Sequence, residues 1–211
     1  IMLQQTRVEA VKPYFLRFVK ELPDAEALAA CPEEKLMKLW EGLGYYNRVR
    51  NMQEAARTVV REYGGILPAD YHRLLSLKGI GSYTAGAIAS IAYQIPVPAV
   101  DGNVLRVISR IEENREDIMK QSVRRKVEEE LLKIMPSRCP GDFNQALMEL
   151  GAVVCVPNGP ARCGECPVAF ACKACLHSTV EELPVKGEKK KRRVEERTVL
   201  VIQDGDRTAI R

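Results

Sequence analysis

Five of the seven cysteines fall between Cys155 and Cys175. Cys155, Cys163, Cys166 and Cys172 read C-x7-C-x2-C-x5-C, with Pro167 directly after Cys166. Closely spaced thiolates on an irregular loop can wrap a [4Fe–4S] cluster, each sulfur holding one iron. A second set, Cys163, Cys166, Cys172 and Cys175, reads C-x2-C-x5-C-x2-C and suits one zinc ion. Zinc ribbons usually separate their pairs by about 15–20 residues, so the short gap favours the iron–sulfur reading. Cys31, Cys139 and, in that reading, Cys175 are then ordinary thiols. An odd, clustered set also argues against a disulfide framework and for a reducing compartment.

Two further segments carry potential chemistry. Leu77-Lys78-Gly79-Ile80-Gly81-Ser82-Tyr83 is a turn between two apolar helical stretches. Its glycines permit positive φ and close backbone approach, and the helix that follows aims free N–H groups at the same point, which suits a phosphate. A plain glycine-capped turn would read the same way. Downstream, Val100-Asp101-Gly102-Asn103 puts a carboxylate at another helix start. Taken alone, Asp101 is an N-cap.

The elements that must position these groups are helical. Val8, Val11, Tyr14, Phe15, Phe18 and Val19 recur at helical spacing. Further helices are predicted from Pro32 to the glycines after Trp40, from Asn47 to Gly64, over Asp70–Leu77, over Ser82–Tyr93, after Asp101, from Ser122 to Pro136, and from Asp142 to near Val154. No strand pattern precedes residue 195. Glu181 to Arg197 is charged and proline-punctuated, a linker. Thr198–Ile202, a turn over 203–206, and Arg207 onward read as a hairpin, too small to stand alone. The opening inside a helical pattern and the close inside a hairpin predict a piece of a longer chain.

The 211 residues are 46% apolar and 28% charged, which excludes collagen-like and wholly disordered classes. No apolar run approaches the roughly 18 residues a membrane span needs, and no leader pattern opens the chain. The expectation is an intracellular protein, cytoplasmic (nucleoid-associated in a bacterium) or nuclear, and monomeric. The net charge of +4 is concentrated in Lys186 to Arg197, where seven Lys/Arg face three Asp/Glu. Bulk charge therefore does not argue for nucleic acid. The Lys189–Arg193 run reads as a solvated linker first and a phosphate contact second.

In combination these segments resemble a known family. A helix–hairpin–helix turn, a Gly/Pro-flanked loop ending in Asp, and a four-cysteine loop are the pattern of the iron–sulfur branch of the helix–hairpin–helix base-excision DNA glycosylases, whose first cysteine gap is one residue shorter. Ile1-Met2-Leu3-Gln4-Gln5-Thr6, Trp40-Glu41-Gly42-Leu43-Gly44-Tyr45-Tyr46 and Glu181-Glu182-Leu183-Pro184-Val185-Lys186 are similar to segments of the adenine DNA glycosylases, the MutY family. The resemblance covers essentially the whole chain. It implies an all-α glycosylase fold: a six-helix barrel-like body over 1–154 with the helix–hairpin–helix at 70–93, a cluster loop over 155–176, a linker over 177–197, and at 198–211 the truncated start of a β-containing, Nudix-like domain.

The same resemblance implies hydrolysis of the N-glycosidic bond of adenine opposite 8-oxoguanine or guanine in duplex DNA, with the adenine flipped into a pocket. Asp101 would stabilise positive charge at C1′, with Tyr83 and Asn103 lining the sugar side. Gln4, Gln5, Thr6, Leu43 and Tyr45 would wedge the duplex and read the opposite strand. Gly79 and Gly81 would hold a phosphate, Gln145 would contact the base, and Cys155, Cys163, Cys166 and Cys172 would hold the [4Fe–4S] cluster. Endonuclease III-type relatives carry a Schiff-base lysine where Tyr83 stands, so a monofunctional enzyme is expected. The family's general-acid glutamate immediately precedes the segment starting at Ile1, so these 211 residues alone are expected to be nearly inactive. The competing classes are a bifunctional lyase for damaged pyrimidines, a non-catalytic helix–hairpin–helix DNA-binding module, and a zinc-stabilised interaction protein.

Overall fold

In the computed structural model, residues 1–187, 196, 198–199, 201–205 and 207–210 are described. The Lys189–Arg193 run and most of the expected linker after Gly187 lie outside them. The helices are α1 (Val8–Glu21), α2 (Ala25–Ala30), α3 (Glu33–Trp40), α4 (Asn47–Tyr63), α5 (Tyr71–Ser76), α6 (Ser82–Tyr93), α7 (Gly102–Ile111), α8 (Gln121–Ile134), α9 (Pro140–Glu149) and the short α10 (Lys173–Leu176). Among the described residues no strand precedes β1 (Val201–Asp204), which pairs antiparallel with β2 (Arg207–Ile210).

Helical periodicity buries one stripe of each helix, and the stripes meet in successive cores. Phe18, Leu36, Trp40 and Val49 close the first, around α1, α3 and α4. Val59, Leu74, Leu77, Ile80, Ala85 and Ala89 close the second, which locks α5 and α6 together across the turn. Val100, Val104, Leu105, Val127 and Leu131 close the third, beneath α7, α8 and α9. Cys172, Ala174 and Leu183 form a small fourth core that docks the cysteine loop. The helix–hairpin–helix of the second core and the Asp101 cap of the third are therefore held by different layers, with the cleft between them.

Several boundaries differ from the sequence expectation. α8 begins at Gln121 without a side-chain cap, so Ser122 is already its second residue. α9 begins at Pro140 and not at Asp142, because proline's fixed φ suits the first helical position, where no N–H bond is lost. It ends at Glu149, and Leu150–Val154 continues as a wider π turn. The first strand lies over Val201–Asp204 and not Thr198–Ile202. The ladder runs to Asp204 opposite Arg207, so the connection is only two residues, opened by Gly205 at φ +57°, which a tight primed turn requires.

Candidate functional site

Asp70 caps α5 by accepting from the Arg73 amide at 2.8 Å, and the chain then turns through Leu77–Gly81 into α6. Gly79 adopts φ +77°. Gly81, expected to use the same freedom, sits at φ −90° as the N-cap of α6, with open space where a Cβ would point. No side chain caps α6, so its first amides stay available to an anion at the positive end of the helix dipole.

Asp101 is the N-cap of α7. Its Oδ1 accepts from the amides of Asn103 and Val104 at 2.8 Å each, and its Oδ2 from Asn103 Nδ2 at 3.0 Å. These donors fix the half-buried carboxylate in one orientation. Tyr83, in the first turn of α6, lines the same cleft. Burial, and secondarily the charge of Asp101, push its phenol pKa up, so the ring presents a neutral hydroxyl. That hydroxyl lies 3.6 Å from Met148 Sδ.

The loop leading to Asp101 is held from below. Asn144, almost fully buried, accepts from the Ala99 amide at 3.0 Å and donates to Val97 O at 2.9 Å and Ser90 Oγ at 2.8 Å. Arg124 donates to the Val100 carbonyl. A buried amide that satisfies three partners on two segments fixes their register.

The opposite wall is built by the amino-terminal segment and the loop after α3. Gln4 Nε2 donates to Thr84 Oγ1 at 3.0 Å, tying that segment to α6. Gln5 and Tyr45 adopt left-handed backbone, φ 59° and 48°, and both are exposed. Arg48 holds the two segments together: Nη1 donates to the carbonyls of Met2 and Gln4 and to Thr6 Oγ1, and Nη2 to the carbonyls of Leu43 and Gly44. Its guanidinium lies over the rings of Trp40 and Tyr45, at 5.3 and 5.5 Å, and its Nε is buried without a hydrogen-bond partner among the described residues.

The cleft thus brings together Gln4, Gln5, Tyr45, Tyr83 and Asp101, along with Tyr46 from the same quoted segment as Tyr45, and Asn51 and Arg124, which the sequence reading did not single out. Leu43 is instead buried in the first core beside Trp40 and Met2. Thr6 meets Arg48. Gln145 is exposed on α9, donates to Gly141 O of its own helix, and does not line the cleft. Asn103 sits behind Asp101, and Gly151 packs against it so closely that a Cβ there would lie 2.7 Å from Asn103 Cβ.

Asn103 also starts a buried polar line to the cysteine loop. Its Oδ1 accepts from Arg106 Nη2 at 2.9 Å, and Arg106 donates further to Gly151 O at 2.6 Å and Cys155 O at 2.8 Å. Arg110, one turn on, donates to Leu183 O at 2.9 Å, Val156 O at 3.2 Å and the Cys155 thiol at 3.2 Å. Both arginines are about as buried as the apolar core around them, 5% and 6% exposed.

All five clustered cysteines line one cavity, otherwise walled by aliphatic side chains such as Val107, Ile111, Leu150 and Val154. Cys155 stays in this wall despite the longer first gap, because Val156–Ala161 loops out through Gly159 at φ +78°. Among the described residues no three His, Cys, Asp or Glu side chains converge closely enough to share one metal ion. An all-thiol, apolar wall supplies the kind of donors that the irons of a [4Fe–4S] cluster take.

Comparison with known proteins gives the chain's family. Residues 1–135 match the profile of the HhH-GPD superfamily base excision DNA repair proteins. The chain is similar to the adenine DNA glycosylase of Mus musculus, 45% identical over 175 residues that cover 82% of this chain and 34% of the relative. It is 43% identical to that of Homo sapiens over 188 residues, covering 89% and 34%. With that of Buchnera aphidicola subsp. Baizongia pistaciae it shares 35% over 190 residues, covering 90% and 53%. The chain therefore spans about a third to a half of the length of these relatives. In structure it is similar to a thermostable thymine-DNA glycosylase, with TM-score 0.74, 28% identity and coverage of 83% and 81%. It is also similar to endonuclease III in a non-covalent DNA complex, with TM-score 0.71, 26% identity and coverage of 86% and 80%.

Proposed function

Since the chain belongs to the HhH-GPD superfamily of base excision DNA repair proteins, and within it to the MutY family, we propose that its protein is a monofunctional DNA glycosylase that removes adenine mispaired with 8-oxoguanine or guanine. The observation that carries the reading is the pairing of Asp101 with Tyr83 across one cleft. A carboxylate held by three donors is preorganised to stabilise an oxocarbenium-like sugar, and it need not reorient as charge develops. Tyr83 offers no amine, so no Schiff base forms and the abasic strand is left intact.

The other residues take their parts from this geometry. The α6 amino terminus and the turn at Gly79 receive a phosphate, while the exposed Gln5 and Tyr45, with the half-buried Gln4 beside them, meet the bases opposite. Asp101 is the one carboxylate among the described residues that line the cleft. The proton that makes adenine a neutral leaving group is assigned, through the family resemblance, to a glutamate ahead of Ile1 in the protein. Cys155, Cys163, Cys166 and Cys172 would hold a [4Fe–4S] cluster, which when bound would supply iron–thiolate cross-links between the end of the π turn after α9, the loop and the start of α10. Such an enzyme works as a monomer on duplex DNA in the cytoplasm or nucleus, and no helix among the described residues is long and apolar enough to cross a membrane.

The test is single-turnover reaction of the protein, extended ahead of Ile1, with a duplex carrying adenine opposite 8-oxoguanine. Strand breaks that appear only after alkali are expected. Breaks without alkali would move it to the lyases, and binding without breaks would leave Asp101 as a helix cap in a DNA-binding module.

A further inference from the structure

Among the described residues two arginines line the cleft, and one of them faces it with donors to spare. Arg48 turns both Nη groups onto five acceptors of the opposite wall and buries its Nε. Arg124 rises from the first turn of α8, a helix that Val127 and Leu131 fix on the third core. Its half-buried side chain reaches the loop of Asp101, where Nη1 donates to the Val100 carbonyl. It makes no second hydrogen bond and no ion pair among the described residues, although Glu128 stands one turn on. Neighbouring lysines of α8 do pair, Lys126 with Glu116 and Lys133 with Glu130. A guanidinium carries five N–H donors in a planar fork, so most of the Arg124 fork stays available beside Asp101.

We propose that Arg124 binds a backbone phosphate of the extruded nucleotide, and so ties phosphate capture to the placement of Asp101. This rests on the glycosylase reading above. Each nucleotide carries a phosphate on either side of its sugar, so a C1′ brought to Asp101 brings those anions into the same cleft. There they would repel the carboxylate, and a cation interposed at Val100 offsets that repulsion. The planar fork also matches phosphate oxygens two at a time, which the single amides at the α6 terminus do not. Because the same side chain holds the Val100 carbonyl, a phosphate on Arg124 meets a loop already set for Asp101.

The experiment titrates the protein, extended ahead of Ile1, against a duplex carrying a tetrahydrofuran abasic analogue opposite 8-oxoguanine, at several KCl concentrations. Wild type is compared with Arg124→Gln, which keeps a donor for Val100, and Arg124→Lys, which keeps the charge, with circular dichroism to confirm folding. The slope of log K against log[KCl] should be shallower by about one in Arg124→Gln and close to wild type in Arg124→Lys. A neutral methylphosphonate is then placed in turn on each side of the analogue. At one of the two positions it should weaken wild type by about tenfold and Arg124→Gln hardly at all. Equal salt slopes in wild type and Arg124→Gln, or equal losses at both methylphosphonates, would overturn the proposal and leave Arg124 as a brace for the loop. Should Arg124→Gln fail to fold, Arg124→Lys decides: without the fork its loss at that phosphate should shrink, and losses equal to wild type at both positions would sink the idea. A wild type that binds the analogue duplex no better than an undamaged one would overturn the glycosylase reading and this proposal together.

Discussion

At the scale of the residue, Asp101 is an N-cap with a second, proposed part as a fixed anion, and mutation can separate the two. As an N-cap it needs only an oxygen acceptor, which Asn also provides; as a fixed anion it needs its charge. Asp101→Asn should therefore change stability by no more than about 1 kcal/mol in denaturant unfolding, since the cap survives. Excision by the extended protein should fall by about 10³-fold or more in single turnover, with duplex affinity nearly unchanged. Equal losses of affinity and rate would return Asp101 to a purely structural part. Tyr83 supplies the complementary case. Its phenol pKa is raised by burial and by Asp101, so it remains neutral up to and beyond its ordinary value of 10.0. No limb of the excision pH profile below that value should belong to it, and Tyr83→Phe should leave the profile's shape intact. Tyr83→Lys instead places an amine beside Asp101, and some alkali-independent nicking should appear on sequencing gels. A shifted profile in the Phe variant would show that the phenol titrates during catalysis.

At the scale of the element, the cleft depends on a staple that spacing could not announce. Arg48 lies on α4, where a periodic reading takes an arginine for the solvated face. It turns inward because Met2, Gln4, Leu43 and Gly44 all aim carbonyls at one point. Those directions follow from left-handed backbone at Gln5, Tyr45 and Gly44, and no local pattern specified it. Arg48→Met would leave the carbonyls unpaired and should cost about 2–4 kcal/mol in denaturant unfolding. Trp40, the sole tryptophan, donates to Gly44 O at 3.0 Å beneath the guanidinium, so its emission should shift to the red as the loop opens. Arg48→Lys should recover part of the loss, because one ammonium cannot reach both sets of carbonyls. Unchanged emission in the Met variant would show that the loop is held by something else. Most of the helices were legible, since apolar recurrence and the caps at Asp70 and Asp101 mark them directly, but the short α2 and α10 were not anticipated. Their ends were less so: α9 starts at Pro140, where proline's fixed φ suits the first helical position, and passes into a π turn whose Gly151 packs against Asn103, a contact from far along the chain.

At the scale of the whole molecule, the cysteine loop and the cleft form one connected polar structure. The motifs showed their members, the clustered thiols and Asp101, but gave no sign of what joins them. Arg106 and Arg110 interrupt an apolar helix face and look like ordinary surface charges in sequence; only the carbonyls presented by Gly151, Cys155, Val156 and Leu183 explain their burial. Asn144 was overlooked for the same reason, because its three partners come from segments far away in the chain. A buried arginine that satisfies several carbonyls is costly to remove, because each partner is left desolvated and unpaired. Arg106→Met should therefore destabilise the protein by about 3 kcal/mol, with consequences in two directions. Toward the loop, Cys155 loses the anchor on its carbonyl, so iron should leave faster under a chelator. Toward the cleft, Asn103 loses the donor that orients its side-chain oxygen, and with it the rigid position of the amide that holds Asp101 Oδ2. Excision should fall by about tenfold or more, while affinity for undamaged duplex, which the proposal assigns to the α6 terminus and the Arg48-stapled wall, should barely move. Iron retention, excision rate and duplex affinity measured on one preparation would separate these effects. If iron retention and affinity fell together while the rate held, Arg106 would be supporting the fold alone, and the cleft would owe its geometry to Asn144 and the Asp101 cap.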